Sequence, residues 1–131
     1  MKHKLQTNQV ELSLLHTAPF TNGQVAHGQQ HHMPLMAWSP LGGGRLHAQA
    51  GTPGTAAARL AGRMAQLAEA AGTDTTAVAV AWLLHHPARV LPVMGTNQPD
   101  RIARFSDALR VPMDRQTWFE LYELANGHEV P

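Results

Sequence analysis

The sequence contains no cysteine. A disulfide framework and thiolate chemistry are therefore excluded. The sequence also lacks long apolar runs. No segment approaches the roughly 20 residues that a membrane-spanning helix needs. The residues that follow position 4 do not form the apolar stretch of a secretory signal peptide. We therefore expect a cytoplasmic protein without a membrane partner.

The sequence has few charged residues, and their charges nearly cancel. Charged residues make up 15% of the chain, with ten lysines and arginines against nine aspartates and glutamates. No basic run could neutralise a series of phosphates, so nucleic acid is not expected as a partner. A length of 131 residues with 44% hydrophobic content suits a single domain, residues 1–131, with one modest core.

Short apolar segments alternate with helical patterns along the chain. Unbroken apolar runs bounded by turn residues predict buried strands, and apolar residues at a 3.6-residue period, such as Leu60, Met64 and Leu67, predict helices. The predicted strands cover residues 9–15, 34–39 and 90–95. The predicted helices cover about 23–32, 57–71, 75–85, 99–109 and 114–126, and residues 42–57 are expected to form a long loop.

This alternation predicts right-handed crossovers and a parallel sheet of the α/β class. Strands this apolar need cover on both faces, and three strands leave two sheet edges open. The pattern therefore indicates a piece of a larger sheet.

One glycine-rich segment, "AWSPLGGGRL" at residues 37–46, follows the second predicted strand. Its glycines could let backbone amides approach a phosphate, or they could form a flexible turn with no ligand. A second turn of the same kind, residues 95–101, follows the third strand and favours the phosphate-binding interpretation.

Five segments together resemble the aldo/keto reductases, especially bacterial NADP-dependent oxidoreductases. They are "TNQVELSLLH", "MAWSPLGGGRL", the helix pair around Trp82, "LPVMGTNQPDRI" and "QTWFELYELANGHEVP". The resemblance implies a partial (β/α)₈ TIM barrel: the last three β/α units plus the C-terminal helix of a fold that needs about 250 residues. It further implies a C-terminal, cofactor-binding fragment of such an enzyme.

The resemblance assigns five residues to the nicotinamide and pyrophosphate end of an NADP(H) site. Gln9 matches the residue that binds the carboxamide, and Trp38 matches the aromatic residue on which the nicotinamide ring stacks. The turn that contacts the pyrophosphate corresponds to Ser39, Leu41 and Gly43. Without the resemblance, the residues alone would favour a core-packing role for Trp38.

Four further residues are assigned to the adenosine end. Gly95, Thr96 and Asn97 match the turn that holds the adenosine phosphate, and Arg101 matches the arginine that pairs with the 2′-phosphate, where a planar guanidinium can bind two oxygens. A solvated helix face is the alternative for Arg101.

Three positions depart from the family pattern. Gly95 stands where many members carry a lysine, while Arg104 and Phe105 stand where others carry a Glu-Asn pair that contacts adenine. Preference for NADP over NAD is thus less firmly implied than cofactor binding itself.

The nine histidines include His27 and His31, an i, i+4 pair that could ligate zinc from one helix face. The spacing places no third ligand, so no metal site is predicted. Trp82 and Trp118 are assigned to packing.

The resemblance implies NADP-dependent reduction of a small-molecule carbonyl substrate by hydride transfer. A second hypothesis is a non-catalytic β/α fragment that oligomerises through its open strand edges. Self-association or a complementing chain would supply what the three strands lack.

We predict that the 131 residues alone do not reduce carbonyls. The resemblance implies a proton-donating tyrosine with a lysine, an aspartate and usually a histidine, all in the first half of the barrel. Here the only tyrosine is Tyr122, in the last predicted helix, and the only lysines are Lys2 and Lys4. No catalytic residue is therefore assigned. Steady NADPH oxidation by the pure chain with a reactive aldehyde, followed by absorbance, would refute this prediction.

Overall fold

Three short strands form one parallel sheet in the order β1-β2-β3 in the computed structural model, which describes residues 3–48 and 52–130. The strands are β1 (Asn8–Glu11), β2 (Leu35–Trp38) and β3 (Leu91–Pro92). The helices are α1 (Gln24–Gln30), α2 (Arg45–Ala48), α3 (Ala56–Ala70), α4 (Thr75–Leu84), α5 (Pro99–Ser106) and α6 (Arg115–Asn126), with short 3₁₀ helices at Ala18–Phe20 and Asp107–Arg110.

The two faces of the sheet differ in burial. Val10, Leu35 and Ala37 are buried in the core, whereas Trp38 is 43% exposed and Leu91 is 48% exposed. β1 pairs with β2, and β2 pairs with β3, both in parallel, which confirms the parallel α/β architecture predicted from the alternating pattern. The number of barrel units stays a prediction.

The first strand is shorter than predicted. Residues 9–15 were expected to be extended, but β1 ends at Glu11. The chain then turns, because the backbone amides and carbonyls of Ser13 and His16 bond to each other at 3.1 Å in both directions. Leu12 and Leu14 are nevertheless fully buried. The apolar character of these two residues indicated that they are buried, but it did not indicate an extended backbone.

Three further bounds differ from the sequence predictions. The predicted loop 42–57 contains the one-turn helix α2 and the first residues of α3, and its residues 49–51 lie outside the described part of the chain. The predicted helix 99–109 changes to 3₁₀ geometry after Ser106. The predicted strand 90–95 has strand geometry only at Leu91–Pro92, although the Val93 amide also donates a hydrogen bond to the Ala37 carbonyl of β2 at 2.9 Å.

Helices α3 and α4 begin at side-chain caps and pack against each other, and α4 also contacts β3. The Thr55 hydroxyl accepts a hydrogen bond from the Ala58 amide at 3.2 Å, and an Asp74 carboxylate oxygen accepts one from the Ala77 amide at 3.1 Å. Caps of this kind satisfy amides that have no partner in the first turn. All the residues of α4 from Ala77 to Leu83 are buried, so this helix is the centre of the core, as its apolar sequence predicts.

An aromatic cluster joins α6 to α4. We use this term for Phe20, Trp82, His86, Trp118 and Tyr122. The indoles of Trp82 and Trp118 are stacked, with ring centroids 4.8 Å apart and an angle of 6° between their planes. The ring of His86 stacks on Phe20 at 4.6 Å, and burial lowers the pKa of this histidine. Both tryptophans thus serve packing, as predicted.

Two helical glycines are expected to respond oppositely to alanine substitution. A Cβ on Gly28 of α1 would lie 2.9 Å from the Met33 carbonyl oxygen, whereas a Cβ on Gly62 of α3 would have no neighbour within 4 Å. We predict that Gly62→Ala raises the free energy of unfolding by about 0.5–1 kcal/mol, the difference in helix propensity. Gly28→Ala should lower it by about 1–3 kcal/mol, because the backbone must shift. Urea denaturation measures both values. If the two substitutions change the free energy of unfolding in the same direction, the close approach at Gly28 is contradicted.

A second prediction concerns the link between α4 and α6. Trp118→Phe keeps an aromatic ring but removes the indole N–H that donates to the Trp82 carbonyl at 2.8 Å. We expect the free energy of unfolding to fall by about 1–2 kcal/mol, since that carbonyl loses its partner. The matched control is Trp38→Phe, the same change at an exposed position, which should alter stability by less than about 0.5 kcal/mol. Equal losses in the two variants would show that the hydrogen bond contributes nothing specific.

Candidate functional site

The carboxyl ends of the strands meet at one edge of the sheet. Trp38 is the last residue of β2 and pairs in register with Glu11 of β1. On the other side of β2, Ala37 pairs with Pro92, and its carbonyl accepts a hydrogen bond from the Val93 amide at 2.9 Å. In open α/β sheets, ligands bind in the crevice outside this edge.

The turn after β2 has an unusual backbone. Ser39 has a φ of 49°, and Gly42, Gly43 and Gly44 have φ values of 61°, 65° and 85°. L-residues with side chains rarely adopt this conformation, which explains the run of glycines. Hydrogen bonds fix the turn, with the Gly42 amide donating to the Ser39 carbonyl at 2.9 Å and the Arg45 side chain donating to the Gly42 carbonyl at 2.9 Å. The turn is therefore an ordered structure.

The individual glycines of this turn face different surroundings. A Cβ on Gly42 would lie 2.7 Å from a methyl carbon of Leu15, so this glycine permits close packing. Gly43 and Gly44 have no neighbour within 4 Å of the Cβ position. Their exposed backbone can be approached closely by a ligand.

A cavity of about 770 Å³ lies between this turn, the segment after β3 and helix α5. This volume is in the range of pockets that hold cofactors or small molecules. Seven of the nine residues assigned from the sequence line it: Trp38, Ser39, Leu41, Gly43, Gly95, Thr96 and Arg101. The fold thus brings together residues from two turns that are more than fifty positions apart.

The other two assigned residues do not line this cavity. Gln9 is exposed on β1 and pairs in register with Met36, two residues before the end of β2. Because alternate residues of a strand share a face, Gln9 lies on the same face of the sheet as Trp38. Asn97 is exposed in the segment between β3 and α5.

The cavity also has lining residues to which the sequence assigned no role in a site. Arg104 and Phe105 come from α5, and Asp74 and Thr76 come from the start of α4. A guanidinium nitrogen of Arg104 lies 3.5 Å from a carboxylate oxygen of Asp74. The spacing of Arg101 and Arg104 was a usable signal, since residues i and i+3 share a helix face. No sequence pattern predicted that α4 packs beside these two arginines.

The histidine pair has the contact that its spacing predicts. The rings of His27 in α1 and His31, its C-cap residue, have centroids 4.3 Å apart, and both residues are exposed. Within residues 3–48 and 52–130, no three His, Cys, Asp or Glu side chains are grouped so as to hold a metal ion. Over the same residues, no helix combines the length and apolar character needed to cross a membrane.

The chain is an α/β protein with a candidate anion-binding site. This class is defined by its parallel strands, its glycine turn and the arginine-bearing cavity at the carboxyl edge of the sheet. The family model for the aldo/keto reductase family matches residues 1–126. The chain belongs to the aldo/keto reductase family.

Known relatives agree with this assignment. Over 130 residues the chain is 55% identical to a 6-dehydroglucose reductase of Agrobacterium fabrum, covering 99% of this chain and 42% of that protein. It is 39% identical over 129 residues to a 6-dehydroglucose reductase of Novosphingobium aromaticivorans, covering 98% of this chain and 41% of that protein. The chain therefore spans about two fifths of the length of these relatives.

A solved structure shows the same fold. The thermostable aldo-keto reductase Tm1743, crystallised with the inhibitor epalrestat, superposes with a TM-score of 0.72. The match covers 90% of this chain and 39% of that protein at 18% sequence identity. It supports the α/β fold alone.

Proposed function

We propose that this chain forms the NADP(H)-binding part of an aldo/keto reductase that reduces the carbonyl group of a small molecule. The observation that carries the proposal is the single cavity lined by seven of the nine residues assigned from the sequence. Family membership supports the oxidoreductase class. The names of the two relatives favour a dehydrosugar as the substrate.

The residues of the cavity fit the chemistry of a phosphorylated dinucleotide. The exposed backbone of Gly43 and Gly44 leaves the space that a pyrophosphate needs, because nothing lies within 4 Å of the Cβ positions. Two arginines and the Thr96 hydroxyl offer hydrogen-bond donors for phosphate oxygens. Trp38 presents an exposed indole on which a flat ring can stack.

When bound, NADPH supplies the hydride for carbonyl reduction. The residues of this chain would bind and orient it: Trp38 would fix one face of the nicotinamide, the glycine turn would hold the pyrophosphate, and Arg101 would pair with the 2′-phosphate. Gln9 and Asn97 remain proposed contacts to the carboxamide and to the adenosine phosphate. Such positioning lowers the entropic part of the barrier.

Tyr122 is not the proton donor in this proposal. Its ring stacks on Trp118 at a centroid distance of 5.4 Å, inside the aromatic cluster, and it does not line the cavity. Lys4 is exposed near the start of the described residues, and Lys2 lies outside them. We infer that a segment beyond these 131 residues supplies the proton donor, either in the same polypeptide or in a complementing chain.

Coenzyme binding can be tested by isothermal titration calorimetry with NADPH. We expect the chain to bind NADPH and Trp38→Ala to weaken binding by about tenfold, because an aromatic stack is lost. The matched control is Phe119→Ala, which removes an aromatic ring of similar exposure, 40%, that does not line the cavity. Absence of binding to the unaltered chain would overturn the proposal, and equal weakening in both variants would remove the role of Trp38.

A further inference from the structure

Helix α5 presents two arginines to the cavity. Arg101 and Arg104 are three residues apart on the helix, so their side chains share a face, and both line the cavity. The only other charged residue in the lining, as far as the described residues go, is Asp74. The cavity wall at α5 therefore carries a local excess of positive charge, although the whole chain is nearly neutral.

Asp74 uses its two carboxylate oxygens for different tasks. One oxygen caps α4 by accepting the Ala77 amide at 3.1 Å. The other lies 3.5 Å from Arg104. The cap holds the carboxylate at the start of a helix whose residues from Ala77 to Leu83 are buried. Asp74 thus lies within ion-pair distance of Arg104 from a neighbouring element.

The ion pair between Arg104 and Asp74 is loose. The side chain of Arg104 is 64% exposed and that of Asp74 is 37% exposed, and pairs this well solvated contribute little to stability. A phosphate monoester carries more charge than a carboxylate and offers oxygens that match the fork of a guanidinium. Such a group would compete successfully with Asp74 for Arg104.

We propose that Arg104 is a second phosphate-binding residue, which clamps the 2′-phosphate of NADP(H) together with Arg101 and so determines preference for NADP over NAD. Asp74 pairs with Arg104 when no 2′-phosphate is present and competes with that phosphate for it. The inference rests on the proposed function and assigns a specificity residue within that same site.

Three variants test the inference by calorimetric titration with NADPH and NADH. Arg104→Gln should weaken NADPH binding by about fivefold and change NADH binding by less than about twofold, as expected for one exposed ion pair. The loss should shrink at high salt, since the interaction is screened. Arg110→Gln is the matched control, because Arg110 pairs with Asp107 and does not line the cavity. It should leave both affinities unchanged.

Asp74→Asn should change the affinity for NADPH in the direction opposite to that of Arg104→Gln. Asparagine retains the capping oxygen, so α4 should keep its start, while the negative charge in the cavity is removed. NADPH binding should tighten by about twofold, because the repulsion between the carboxylate and the phosphate is lost. Inorganic phosphate alone, titrated in parallel, should bind far more weakly than NADPH, because the clamp recognises the phosphate on the dinucleotide.

The outcomes separate this inference from the proposed function. If Arg104→Gln leaves NADPH binding unchanged, or weakens NADPH and NADH equally as an adenine contact would, the assignment of Arg104 is overturned while the cofactor site stands. If the unaltered chain binds neither coenzyme, the proposed function fails and this inference fails with it. A selective loss of NADPH affinity supports it.

Discussion

The structure depends on a reciprocal interaction between Trp82 and Trp118. The indole N–H of Trp82 donates to the Trp118 carbonyl at 3.1 Å, and the indole N–H of Trp118 donates to the Trp82 carbonyl at 2.8 Å. The Trp82 carbonyl belongs to the last turn of α4, where carbonyls have no partner within the helix. One stacked pair therefore provides partners for the indole N–H groups of the buried Trp82 and the partly buried Trp118, and for a carbonyl at the end of α4, and it links α6 to α4.

The position of α4 also determines the charge of the candidate site. The end of this helix is fixed by the aromatic cluster, and its start is capped by Asp74. Ten residues of helix span about 15 Å, so one rigid element connects the cluster with the cavity. Asp74 is the N-cap residue of α4, so the position of the carboxylate that faces Arg104 depends on the packing of this helix. Sites held by rigid elements keep their geometry better than sites on loops.

The sequence predicted features that depend on local patterns. The parallel sheet, helices α3 and α4 and the glycine turn all follow from apolar periodicity and turn residues. The end of β1 was missed because Leu12, just after the strand, and Leu14, in the following turn, are both buried, and burial alone does not distinguish a turn from a strand. The pairing of Arg104 with Asp74 was missed because these residues lie thirty positions apart and meet only through the packing of α5 on α4.

The open face of the sheet and the candidate site form one surface. Gln9, Met36 and Leu91 are register partners, and Glu11 pairs with Trp38, so these side chains share the face opposite the core. Parallel sheets are normally covered on both faces, yet Trp38 and Leu91 are about half exposed in the part of the chain that the structure describes. A ring stacked on Trp38 would bury apolar area that is otherwise in water. Under the proposed function, coenzyme binding would therefore cover part of this open face, and its affinity would depend on what else packs on the sheet.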